Sequence, residues 1–77
     1  MDYYARARSI AYTLEQEGFG SEAENVITAI SYGTSGTELL MALRWHLRRV
    51  ASSQSAIEPC TVAQINELCA DLDMVLR

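Results

Sequence analysis

Lysine is missing altogether. The six basic residues are all arginines, set against ten carboxylates for a net charge of −4. That balance argues against nonspecific binding to DNA or RNA, which rests on neutralising phosphates, and it points to a basic partner instead. Cysteine is scarce: Cys60 and Cys69 stand nine apart, with neither a CxxC pair nor a ligand-spaced histidine. A disulfide-stapled secreted fold usually carries more, so both are expected as reduced thiols, Cys69 on a core face and Cys60 at a helix entrance. No run approaches the roughly twenty apolar residues that span a bilayer. Asp2 and the Tyr3-Tyr4 pair stand where a secretion leader needs basic and apolar residues. The expected location is cytoplasmic. Glycine and the single proline fall only between segments, and no stretch alternates in the β-branched manner of a strand.

What remains reads as four helices in one domain, residues 1–77. That length is near the lower limit for burying a self-sufficient core, and 49% hydrophobic content places the chain among globular domains. The first helix, Asp2 to Glu17, spaces Tyr3, Ala7, Ile10, Ala11 and Leu14 along one face, with Asp2 as cap and Gly18 as a left-handed stop. Phe19 precedes the second helix as a hydrophobic staple, and Ser21 with Glu24 forms a capping box. The expected inner face of that helix is Ala23, Val26, Ile27 and Ile30, and it stops near Tyr32-Gly33. A turn through Gly33–Gly36 leads to the third helix, capped by Ser35 or Thr37. There TELLMALRWHLRRV, Thr37–Val50, is apolar on every side of its first turns, which marks a helix enclosed by neighbours. The polar link Ser52–Ser55 and Pro59 precede a fourth helix, with Thr61 and Gln64 as a further capping box. Its seam is Val62, Ile65, Leu68, Cys69, Leu72, Val75 and Leu76. The expected fold is all-α, a compact bundle of four helices around a buried central third helix.

No constellation carries chemistry. His46 is the single histidine, and no serine or cysteine stands at a helical spacing from it. One histidine and two separated cysteines do not make a metal site. The glycine-rich turn at Gly33–Thr37 lacks the lysine and the preceding strand of a phosphate-binding loop. A helix-turn-helix reader is excluded because Glu38-Leu39-Leu40-Met41 offers base edges almost nothing. No catalytic residue, cofactor or metal is therefore expected. Trp45 beside Arg48 and Arg49 fits a protein contact anchor and equally a core side chain lined by arginine stems.

The surface is more informative. Glu15, Glu17, Glu22 and Glu24 gather four negative charges around Phe19, and Glu67, Asp71 and Asp73 give the last helix an acidic side. Such patches attract a basic protein. The segment Ala29–Leu47, AISYGTSGTELLMALRWHL, resembles a stretch of small helical bacterial proteins in which a Gly-Thr-x-Gly-Thr-Glu turn leads into a Leu/Met-rich helix ending Arg-Trp-x-Leu. It covers about a quarter of the chain. Some small acidic proteins of this kind are similar to immunity proteins of bacterial toxin systems, including contact-dependent growth inhibition. The resemblance implies an inhibitor that neutralises a toxin by occlusion and carries over no active-site residue. A basic nuclease domain is the expected partner, met by Glu15, Glu17, Phe19, Glu22 and Glu24 or by Glu67, Asp71 and Asp73. The alternative is a structural or regulatory homodimer that exchanges its fourth helix.

Overall fold

A computed structural model of the chain describes residues 2–31, 36–53 and 56–76. It contains four helices, α1 Tyr3–Gln16, α2 Gly20–Ser31, α3 Gly36–Ser53 and α4 Pro59–Val75, and no strand among the described residues. The expected end of the second helix at Tyr32-Gly33, the Ser35 cap and part of the polar link, Gln54-Ser55, lie outside those residues.

Both ends of α1 form as their residues dictate. The Asp2 carboxylate accepts from the Ala5 amide at 3.0 Å, which satisfies one orphan donor of the first turn. At the other end Gly18 adopts φ +93°, a conformation only glycine takes without strain. The Phe19 amide then reaches back to the Leu14 carbonyl at 2.8 Å and the Gly18 amide to Glu15 at 3.1 Å. This double bond pattern is a Schellman motif, and it swings Phe19 onto the core. One consequence is that α2 starts a residue early. The Phe19 carbonyl already accepts from Ala23, so Ser21 lies inside the helix and the expected Ser21–Glu24 capping box is not its start.

The helices form a closed ring: α1 packs on α2, α2 on α3, α3 on α4, and α4 back on α1. All four contribute to one core, with Leu14, Val26, Leu43, Leu47, Ile65, Leu68 and Leu72 fully enclosed. The four-helix all-α architecture is the one expected, but α3 is a wall of the ring and not its hub. Its Leu43, Leu47 and Val50 point inward, while Met41 is 49% and Trp45 56% exposed. Two neighbours, not three, cover a helix in a four-membered ring, and the apolar side left over faces water.

Two other inner faces depart from expectation at one apolar position each. In α2 the buried positions are Ala23, Val26 and Ala29, and Ile27 turns outward. In α4 the seam runs through Leu72 to the partly buried Leu76, and Val75 alone is about half exposed. Ile57, in the connection before α4, is buried and anchors the chain's return. Pro59 is the first residue of α4, where its missing amide costs nothing. Thr61 is consequently inside the helix, and the Thr61–Gln64 box does not form. The fourth helix packs on α1 and α3 of its own chain.

Candidate interaction surfaces

The expected acidic residues are divided by the fold into those engaged internally and those facing solvent. Asp71 receives Arg6 at 2.7 Å, joining the end of α4 to the start of α1. Asp73 receives Arg44 at 2.8 Å and also Arg48, joining α4 to α3. The hydrogen bond from Arg44, with the positive charge of both arginines, holds the Asp73 carboxyl below its ordinary range. Glu17 has a structural post: Oε1 accepts from the Glu58 amide at 2.9 Å and Oε2 from the Thr61 hydroxyl at 2.6 Å. It therefore caps α4 from the residue that follows α1. Phe19 is half-buried against the core. Of the second acidic group, Glu67 is exposed beside a shallow groove between α1 and α4 that also holds Arg6 and Asp71.

Glu15 and Glu24 are differently placed. They line an open groove between α1 and α2 together with Tyr12, 65% exposed, Ile27, 40% exposed, and Arg8. Glu22 lies in the first turn of α2. Periodicity had placed Ile27 on the inner face and gave no role to Tyr12. The available signal was that Tyr12 falls off the Ala7–Ile10–Leu14 face, where an aromatic has no core to fill.

A second surface has the opposite sign. Met41, Trp45 and Arg49 stand one turn apart along the outside of α3. The Arg49 guanidinium lies 5.3 Å from the Trp45 ring centre, a cation–π distance. His46 meets the same ring edge-on, with centroids 4.8 Å apart and planes at 88°. Partial burial, and secondarily the Arg49 charge, lower the His46 pKa. Its neighbour is an indole; among the described residues neither a thiol nor a carboxylate hydrogen-bonds to it. Beside Met41 a groove runs between the start of α3 and the end of α4, lined by Leu40, Arg44, Val75 and Leu76. Trp45, left open between core and contact roles by the sequence, is on the outside.

Cys60 is exposed, and Cys69 is buried, with burial raising its pKa and keeping it protonated. No group of three potential metal ligands gathers among the described residues, and none of the described helices is long and apolar enough to cross a membrane. Comparison with protein-family models, curated proteins and solved structures finds no match to this chain.

Proposed function

We propose that this chain acts by binding: it is an immunity-type protein that captures a basic toxin domain, a nuclease, and blocks its active site in the cytoplasm of the cell it protects. One observation carries the reading. The α1–α2 face combines two exposed apolar side chains, Tyr12 and Ile27, with Glu15 and Glu24 at its edges. Tyrosine in such a setting is a frequent energetic anchor, and flanking carboxylates steer a cationic partner and fix its orientation. Asp71, Asp73 and Glu17 are engaged within the fold, which favours this face over the side of α4. The toxin's cationic groove, shaped for RNA or DNA, would be filled by the two glutamates, with Glu22 at the near end of α2. The resemblance of Ala29–Leu47 to small bacterial proteins supports the choice of a toxin as partner.

Steered association of this kind is fast at low salt and slows as salt rises. The test is to express the chain with the product of the gene beside it and assay nuclease activity. Inhibition should be complete with the native chain and relieved by the double change Glu15→Lys and Glu24→Lys. A neighbouring product without toxicity, or inhibition untouched by the double change and by Tyr12→Ala, would sink the proposal.

A further inference from the structure

The outer face of α3 is cationic and apolar on a protein whose net charge is −4. Arg44 and Arg48 share a single carboxylate, Asp73, so that cluster retains one positive charge. No carboxylate among the described residues pairs with Arg49, whose guanidinium lies over the exposed Trp45 ring. The one acidic residue of α3, Glu38, is in its first turn. Continuous with these side chains is the groove between α3 and the end of α4, where Met41 and Val75 are each about half exposed.

We propose that this face is a second docking site, independent of the α1–α2 face, and that its occupant is an acidic amphipathic helix of a partner protein. The occupant's chemistry follows from the surface. Apolar residues at a helical spacing would enter the Met41–Val75 groove and cover Trp45, as in other helix-in-groove complexes. Carboxylates on the flank of the same helix would meet Arg49 and the surplus charge of the Arg44–Arg48 pair. An extended peptide has no strand edge here to pair with among the described residues. A second copy docking by the same face would bring two net-cationic surfaces together, an arrangement that costs affinity.

Trp45 is the only tryptophan, so its emission reports directly on the site. The probe is a synthetic 18-residue peptide, free of aromatic residues, with Leu at helical spacing and Glu and Gln elsewhere; its control carries Lys for Glu. The acidic peptide should shift Trp45 emission to shorter wavelength in a saturable, salt-sensitive way, and the Lys peptide should not. Arg49→Glu should weaken the acidic peptide about tenfold, and Met41→Ala should weaken it with the native helicity retained. Equal response to both peptides, no saturable shift, or unchanged affinity in both variants overturns the proposal. So does a shift that follows protein concentration alone with a dimer in light scattering, which makes the occupant a second copy. A shift with anionic phosphatidylglycerol vesicles but not with the peptide overturns it as well. The nuclease assay reads the α1–α2 face, so failure here leaves that reading standing and the reverse also holds.

Discussion

Removing the Glu17 carboxylate should cost more than its partly exposed position suggests. Thr61 is 1% exposed and its hydroxyl donates to Glu17 Oε2 at 2.6 Å. Among the described residues no buried side-chain polar atom lacks a hydrogen-bond partner, and Glu17→Ala would create one. An unsatisfied buried hydroxyl costs about 1–3 kcal/mol. The second bond lost, from the Glu58 amide, is near the surface, where water replaces most of it. We expect a loss of about 2 kcal/mol, or a fall in Tm of about 8–16 °C for a domain of this size. Thr61→Val keeps the shape and removes the donor, so it should cost about 1 kcal/mol. The discriminating measurement is the double-mutant cycle by urea denaturation. In the Thr61→Val background, Glu17→Ala should cost less by about 1 kcal/mol or more. A loss below about 0.5 kcal/mol for Glu17→Ala, or strict additivity of the two changes, refutes the account of Glu17 as the cap of α4.

Three other outcomes follow from the charges and thiols. The Asp73 pKa is lowered in the folded state, so its contribution is present above the ordinary carboxylate range and is lost as pH falls through that range and below; urea midpoints should drop on acidification, less steeply in Asp73→Asn. Protonation of His46 is disfavoured in the fold, so Trp45 emission should titrate with a midpoint below 6.5, and Arg49→Gln should move that midpoint upward; a native midpoint above 6.5 contradicts the packing of the pair. The stability share of His46 is likewise held above 6.5 and lost as pH falls. A thiol reagent should modify Cys60 in the native protein and reach Cys69 only after unfolding, which free-thiol counting with and without denaturant measures.

The inner face of α1 was fully legible because its positions and both its caps depend on residues within one helix and its ends. The Asp2 cap and the Gly18 stop are local events of this kind. The placements of Ile27, Val75, Met41 and Trp45 were not legible. Each lies on the border of an apolar sector, and whether a border position is covered depends on where the neighbouring helix crosses it. Which carboxylates pair within the fold was hidden for a related reason. Asp71 and Asp73 are surface-like in sequence, yet Arg6 and Arg44 reach them across separations of 65 and 29 residues. Thr61 read as a local cap because its true partner, Glu17, is 44 residues away.

From the order of residues alone came four helices, their approximate ends, the inner face of α1 and the burial of Cys69. Helical periodicity and terminal capping need no knowledge of the rest of the chain. The ring packing was decided only in three dimensions. By leaving each helix two neighbours, it set which apolar side chains face water and which carboxylates are consumed by arginines. The two candidate docking faces, acidic across α1 and α2 and basic along α3, are products of that arrangement.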